Sequence, residues 1–173
     1  MTALPISQRQ EGVRTRTITW TDPARGRFAL RGKDGLDQLR AIARGDAAPP
    51  PIAAVLGFAI DEVERGRIVF SVAADEMHEN PMGTMHGGVV ATLVDSAMGC
   101  AVFSMLPAGT AYTTLELKTS YVRPIVQNTG VVRAEGRVIH IGGRVATTEA
   151  RVFDADGTLY AHATSTCLIM RPK

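Results

Sequence analysis

A single long helical pattern, from residue 88 to about residue 106, constrains the fold of this chain more than any other feature. Its apolar side chains recur three, four, seven and eleven positions apart, and this spacing places them in one continuous stripe. They are Val90, Leu93, Val94, Ala97 and Ala101. The segment is also rich in Ala, Gly and Ser, so other backbone can approach it closely, and Pro107-Ala108-Gly109 ends it. We therefore expect one central helix that the rest of the domain covers.

Strand patterns flank this helix on both sides in the sequence. Residues 56–63 and 66–74 predict a β-hairpin around the turn Glu64-Arg65-Gly66. Four more strands are predicted after the helix, each bounded by turn residues: 111–122, 130–141, 144–153 and 158–170. Because strands are grouped rather than alternating with helices, the pattern favours an α+β fold with a mainly antiparallel sheet. The long strands 130–141 and 158–170 are expected to present edges that self-association would cover.

Charge and proline content predict a boundary near residue 50. Residues 1–50 hold nine Lys and Arg against five Asp and Glu, whereas residues 51–173 hold ten against twelve. The run Ala47-Ala48-Pro49-Pro50-Pro51 between them is typical of a stiff linker. We expect residues 1–50 to form an N-terminal extension, with a strand at 15–20 and a short helix at 35–44, packed on a main domain of residues 51–173.

Composition excludes several classes of function. A formal charge of +2 over 173 residues gives no electrostatic attraction to nucleic acid or to an anionic membrane. The apolar stretches are too interrupted for a transmembrane helix, and the N-terminal residues lack the apolar region of a secretory signal. Two cysteines without a CxxC pattern fit a reducing compartment. We expect a cytoplasmic protein with no nucleic-acid or membrane partner.

Polar residues interrupt the apolar pattern at two places, and these are the candidates for chemistry. The segment from Asn80 to His86, Gly87 and Gly88 leads directly into the long helix. Its two glycines can present backbone N–H groups at the positive end of the helix dipole, which is the geometry of an oxyanion hole. Asp95 lies two turns into the apolar helix, where a carboxylate is costly unless it is paired or meets water. Asp95 is therefore a candidate base or nucleophile.

The spacing of these two features predicts a site shared between subunits. His86 and Asp95 are nine residues apart, which on a helix corresponds to about 13 Å of rise and about 180° of rotation. One chain cannot bring both into a single pocket. A two-fold partner with its helix antiparallel would place Asp95 of one subunit beside the His86-Gly87 turn of the other. We therefore expect an obligate homodimer.

These residues resemble the hotdog-fold acyl-CoA thioesterases of the phenylacetate-degradation (PaaI-like) family. The matching motif is Asn80-x-x-Gly83-x-x-His86-Gly87-Gly88, followed by Asp95-Ser96-Ala97. The resemblance continues through four later segments and covers about residues 52–170. These segments are 112–117, 121–124, 136–144 and 161–164.

The resemblance implies hydrolysis of an acyl-CoA thioester to CoA and a carboxylic acid, without a metal or a redox cofactor. By the same resemblance, the Gly87 N–H binds the thioester oxygen, and Asn80 helps to position the carbonyl or the water. Asp95 acts from the neighbouring subunit, either as a general base or as a nucleophile that forms a mixed anhydride. Thr114 supplies a hydroxyl that holds the attacking water, and His86 shapes the turn.

Binding of the CoA phosphates requires basic groups or backbone N–H groups at the rim of the site. The candidates are Arg123 and the turn Gly142-Gly143-Arg144. Gly88 and Met82 are further substrate-binding candidates, and Met85 and Met98 are additional candidates for lining an apolar acyl pocket. The acyl group is left open among aryl, short-chain and medium-chain groups. The resemblance also implies a dimer of dimers.

Two other functions stay open from the residues alone. The first is a non-catalytic acyl-CoA sensor, which would keep the pocket but lose the base, so the presence of Asp95 argues against it. A thioesterase that acts on an acyl carrier protein is the second alternative. Cys100 has no His nearby in sequence to activate it, so a buried, inert thiol is expected there.

Overall fold

The computed structural model describes residues 12–172, which form four α-helices and six β-strands. The helices are α1 (Pro23–Ala29), α2 (Gly35–Ala43), α3 (Pro51–Leu56) and α4 (Gly87–Phe103). The strands are β1 (Ala59–Glu64), β2 (Arg67–Ala73), β3 (Ala111–Tyr121), β4 (Val131–Ile141), β5 (Val145–Phe153) and β6 (Leu159–Met170). The predicted central helix and all six predicted strands are present, although β1 begins at Ala59 because Pro51–Leu56 is helical.

All six strands pair antiparallel in one sheet with the order β1-β2-β4-β5-β6-β3. The α+β prediction is therefore confirmed. The prediction that residues 130–141 and 158–170 form edges is wrong, because β4 and β6 each have a neighbour on both sides. β3 does not continue into β4 but pairs with β6, from Ala111 opposite Met170 to Tyr121 opposite Ala161. The edges of the sheet are thus β1 and β3.

Helix α4 packs across the sheet, and its apolar stripe forms the centre of the core. Leu93, Val94 and Ala97 are fully buried there, together with side chains from β2, β4 and β5. The closest approach is at Gly136 on β4, where an added Cβ atom would lie 2.4 Å from the backbone of Ala97. Ala97, one of the small helix residues predicted to permit close packing, therefore does so opposite Gly136.

The N-terminal extension packs on the same core through α2. Asp34 caps this helix by accepting a 2.9 Å hydrogen bond from the Asp37 N–H, and Leu39 is 3% exposed within the main cluster. The predicted helix at 35–44 is present, but the strand predicted at 15–20 is absent from the described residues. Its side chains are almost all exposed and have no strand beside them to pair with. The boundary at residues 50 and 51 stays a prediction.

The proline run is only partly a linker. Pro51 occupies the first turn of α3, where its missing N–H costs no hydrogen bond. The helix ends at Gly57, whose φ of +71° is in the left-handed region. Across residues 12–172, every helix is too short or too polar to cross a bilayer.

Candidate active site

The side chain of Asn80 organises the loop before α4. Asn80 Oδ1 accepts hydrogen bonds from the backbone N–H groups of Met82 at 2.9 Å and Thr84 at 3.4 Å. Its Nδ2 donates to Thr84 Oγ1 at 2.9 Å. Gly83, inside the loop, has a φ of +73°, which glycine adopts without steric cost. Asn80 therefore maintains the loop geometry and also lines the cavity beside it.

His86 is the N-cap of α4, and it uses one of the two glycine amides. His86 Nδ1 accepts a 2.9 Å hydrogen bond from the Gly88 N–H. The Gly87 N–H, in contrast, has no hydrogen-bond acceptor among residues 12–172. The expectation that both glycines offer free N–H groups is therefore corrected, since only that of Gly87 is free.

Gly87 lies in a cavity of about 380 Å³ between the start of α4 and the end of β3. The phenol of Tyr121 donates a 2.8 Å hydrogen bond to the Gly87 carbonyl oxygen and so fixes this peptide against β3. A Cβ atom at Gly87 would lie 3.1 Å from the Tyr121 ring, tighter than ordinary packing. Arg123 lines the same cavity, and its Nη1 donates to the Leu159 carbonyl oxygen at 2.7 Å.

Asp95 is half-buried on α4 and contacts the predicted hydroxyl on β3. Thr114 Oγ1 donates a 2.9 Å hydrogen bond to Asp95 Oδ1. The structure therefore brings Asp95 and Thr114 together, 19 residues apart in sequence. Asp95 faces a second cavity, of about 440 Å³, between α4 and the helices α2 and α3.

Two ionisable groups in this second cavity stay neutral at physiological pH. Burial raises the pKa of the Cys100 thiol to about 12, partly offset by its hydrogen bond with Tyr112. Burial also raises the pKa of the Tyr112 phenol well above its usual value. A neutral thiol is a poor nucleophile, so Cys100 is not an alternative to Asp95.

The structure keeps Gly87 and Asp95 apart within one chain. They line separate cavities that share no lining residue. Eight residues of helix place them about 12 Å apart along the axis, well beyond the roughly 3 Å over which a catalytic base acts. A single subunit therefore holds the two halves of the predicted chemistry without joining them.

The remaining predicted site residues lie in different surroundings. Met82 is 82% exposed, Met98 is fully buried in the core, and neither lines the Gly87 cavity or the Asp95 cavity. Met85 is buried but contributes to the wall of the Gly87 cavity. The turn Gly142-Gly143-Arg144 joins β4 to β5 and lines neither the Gly87 nor the Asp95 cavity.

Sequence reasoning missed several residues at these cavities. Tyr121 was part of a matching segment, but nothing in its local pattern predicted a bond to the Gly87 carbonyl. Thr84, which is bonded to Asn80, and Tyr112, which lies beside Cys100, were likewise not identified. These contacts join positions that are distant in sequence or lie within an irregular loop. Hydrophobic periodicity carries no signal for them.

Comparison with known proteins places this arrangement in a family. The model of the thioesterase superfamily matches residues 82–161. A Halobacterium salinarum protein named as an esterase is 32% identical over 114 residues, which are 63% of this chain and 74% of that protein. The proofreading thioesterase EntH of Klebsiella pneumoniae is 29% identical over 106 residues, 61% of this chain and 76% of EntH.

Solved structures of related proteins have the same fold as this chain. The phenylacetic acid degradation-related protein of Ralstonia eutropha JMP134 has a TM-score of 0.67 and 30% identity, covering 75% of this chain and 97% of that one. The PaaI protein of Escherichia coli, at 21% identity and a TM-score of 0.68, shares the fold over 80% of this chain and 94% of its own. The chain thus belongs to the thioesterase superfamily. It is a thioester hydrolase with the hotdog fold, as the resemblance implied.

Proposed function

We propose that the protein hydrolyses acyl-CoA thioesters to CoA and free carboxylic acids at a site formed by two subunits. The observation that carries this proposal is the separation of two complementary groups on one helix. The unpaired Gly87 N–H lies at the start of α4, and the Asp95 carboxylate lies two turns further on, in another cavity. Hydrolysis requires both groups in one site, so a second copy of the chain supplies the group that each cavity lacks.

The surface of α4 that the sheet does not cover supports this assembly. It carries small or short polar residues at helical spacing: Gly88, Ala91, Thr92, Asp95 and Ser96. The Thr92 and Ser96 hydroxyls donate to carbonyl oxygens of their own helix, so contact with another helix leaves neither unsatisfied.

A two-fold axis near Ala91 fits this surface. Ala91 is midway between residues 87 and 95, so an antiparallel partner helix crossing there brings its Asp95 level with this chain's Gly87. The assembly contains two equivalent sites per dimer, and a dimer of dimers leaves both intact.

In this site the Gly87 N–H donates to the thioester oxygen as negative charge develops on it. The amide lies at the positive end of a 17-residue helix, and the Tyr121 phenol holds the next peptide, through the Gly87 carbonyl oxygen, in place. Asn80 lines the same cavity and keeps the loop in shape for the carbonyl to enter. His86 acts indirectly, by capping the Gly88 N–H and leaving the Gly87 N–H free.

Asp95 of the other subunit drives the attack on the carbonyl carbon. As a general base, it takes a proton from water while the water oxygen bonds to the carbonyl carbon; the C–S bond then breaks, and the CoA sulfur takes up the proton. As a nucleophile, the carboxylate itself displaces CoA to form an anhydride, which water then hydrolyses. Thr114 orients the carboxylate in both routes. No metal or redox cofactor takes part; coenzyme A enters as part of the substrate.

Arg123 is the proposed contact for the CoA phosphates, because it is exposed at the rim of the Gly87 cavity. The turn Gly142-Gly143-Arg144 and the exposed Met82 line neither the Gly87 cavity nor the Asp95 cavity of their own chain. In the proposed dimer they contact the substrate only from the neighbouring subunit. Gly88 contributes backbone beside the thioester rather than a free N–H.

The test is release of free thiol from a panel of aryl-acyl and aliphatic acyl-CoAs by the wild type and the Asp95→Asn variant. Asn has nearly the same shape but cannot accept the proton, so turnover falls by about 10²-fold to 10⁴-fold with folding intact. Asp46→Asn is the matched control, since Asp46 is an exposed carboxylate on the extension. Equal turnover by Asp95→Asn and the wild type contradicts the mechanism. Binding of acyl-CoAs without any hydrolysis favours the sensor or carrier-protein alternatives.

A further inference from the structure

The cavity that holds Asp95 has one wall made by α2 of the N-terminal extension and by α3, which follows it. Leu39 and Ile42 of α2, and Ile52 and Ala53 of α3, line it from one side. The opposite wall comes from the hotdog domain: Phe58, Phe70, Ser96, Cys100 and Tyr112. The extension lies outside residues 82–161, the segment that matches the superfamily model. Ile52 and Ala53 also precede that segment, as do Phe58 and Phe70 of the opposite wall.

The chemistry of the cavity selects an uncharged, apolar occupant. Asp95 is the only carboxylate or basic group among its described lining residues. Cys100 and Tyr112 are neutral, because burial raises the pKa of each. A second carboxylate in this space would face Asp95 with no basic group to balance it, so a dicarboxylic acyl group is disfavoured.

The size of the cavity sets an upper limit on the occupant. Its volume is about 440 Å³. A closed apolar cavity of about 150 Å³ already accepts benzene. An aryl ring or a medium-length alkyl chain therefore fits between α4 and the side chains of α2 and α3.

We propose that helices α2 and α3, through Ile42 and Ile52, determine which acyl groups the enzyme accepts: uncharged aryl or medium-chain groups that fill the space beside Asp95. The inference rests on the proposed function, since it assigns the cavity to the acyl part of the thioester. Ile52 is the most useful position to test, because it lines the cavity and is 46% exposed, so a larger side chain there does not disrupt a packed core.

The experiment compares Ile52→Trp with Val55→Trp. Both residues lie on α3 and both are partly exposed, but Val55 does not line the cavity. For wild type and both variants, kcat/KM is measured with acetyl-, butanoyl-, octanoyl- and phenylacetyl-CoA. Affinity for S-octyl-CoA, a thioether analogue of octanoyl-CoA that cannot be hydrolysed, is measured in parallel. Thermal melting confirms that each variant is folded.

We expect Ile52→Trp to lower the octanoyl-to-acetyl ratio of kcat/KM by about tenfold or more, because it removes space for several methylenes. The thioether affinity falls in parallel, and Val55→Trp leaves both within about twofold of the wild type. Succinyl-CoA, which has a carboxylate in place of the terminal methyl group of the butanoyl chain, is hydrolysed at least about tenfold less efficiently than butanoyl-CoA.

The possible failures are distinguishable. Hydrolysis with an unchanged octanoyl-to-acetyl ratio in Ile52→Trp overturns the role of α2 and α3 in acyl selection and leaves the proposed function standing. Thioether binding that weakens only in Ile52→Trp, without turnover of any CoA ester, supports the acyl pocket and overturns the proposed hydrolysis of acyl-CoA. If Ile52→Trp melts early, Ile52→Ala replaces it, with the octanoyl-to-acetyl ratio expected to rise; an unchanged ratio again overturns the inference.

Discussion

Thr114 on β3 donates a 2.9 Å hydrogen bond to Asp95 Oδ1 on α4, which ties the candidate base to an edge strand of the sheet. Asp95 Oδ2 has no hydrogen-bond partner among residues 12–172. One carboxylate oxygen is therefore held, and the other is available to water or to the thioester.

Replacing Thr114 with Val removes the hydroxyl while keeping a side chain of similar shape. A hydrogen bond to a charged group contributes about 1.5–3 kcal/mol, so kcat falls by about 10-fold to 100-fold with little change in KM. Thr114→Ser retains the hydroxyl and restores most of the rate. Steady-state kinetics on one acyl-CoA checks this, and a Thr114→Val enzyme with wild-type kcat would show that the hydrogen bond plays no part.

Gly87→Pro removes the N–H proposed to bind the thioester oxygen. Proline is favoured at the first position of a helix, and His86, at φ −59° and ψ 132°, has the backbone conformation required before proline. We expect kcat to fall by about 10²-fold to 10³-fold. Gly87→Ala is the control, because it adds the same Cβ atom against Tyr121 but keeps the N–H. Equal activity of the two variants would exclude an oxyanion role for this amide.

Cys100 lines the Asp95 cavity but takes no part in the chemistry. With its pKa at about 12, the thiol is neutral throughout the neutral range, and the reactive thiolate forms only as the pH rises towards that value. Cys100→Ser therefore keeps kcat within about threefold. Iodoacetamide at pH 8 leaves the wild type active over hours. Rapid inactivation that Cys100→Ser prevents would contradict this assignment.

Gly136 permits the closest contact between α4 and the sheet. A Cβ atom there would lie 2.4 Å from the Ala97 backbone, so Gly136→Ala must push the helix away from β4. We expect the free energy of unfolding to fall by about 3 kcal/mol, measured by urea denaturation. Gly143→Ala is the control, since nothing lies within 4 Å of an added Cβ and its φ is not positive. A comparable loss in both variants would show that the contact is not the cause.

Most of the fold was predictable from local pattern. The stripe on α4 and the turns around each strand fixed the elements to within a few residues, because hydrophobic period and turn chemistry are local properties. The order of the strands in the sheet was not predictable in this way. β3 pairs with β6, and this pairing depends on how the chain passes over α4. Helix α1 was missed because it buries none of its side chains and so has no apolar stripe.

The residue types of the candidate site were predictable from the sequence, but the hydrogen bonds and packing contacts between them were not. Asp95 and the two glycines stood out because a carboxylate and a pair of bare amides interrupt an apolar pattern. That His86 occupies the Gly88 amide follows from a side-chain rotamer, which sequence does not specify. The wall supplied by α2 and α3 depends on the packing of the extension, which becomes visible only in three dimensions.

Complementation between two inactive variants tests the shared site most directly. Asp95→Asn and Gly87→Pro are co-expressed and purified together, with each variant alone and the wild type as references. In a mixed dimer, Asp95 of one chain meets Gly87 of the other at one intact site.

Random mixing then gives half mixed dimers, each with one of two sites working, so about a quarter of wild-type activity returns. Activity that stays at the level of the two separate variants would contradict a site shared between subunits.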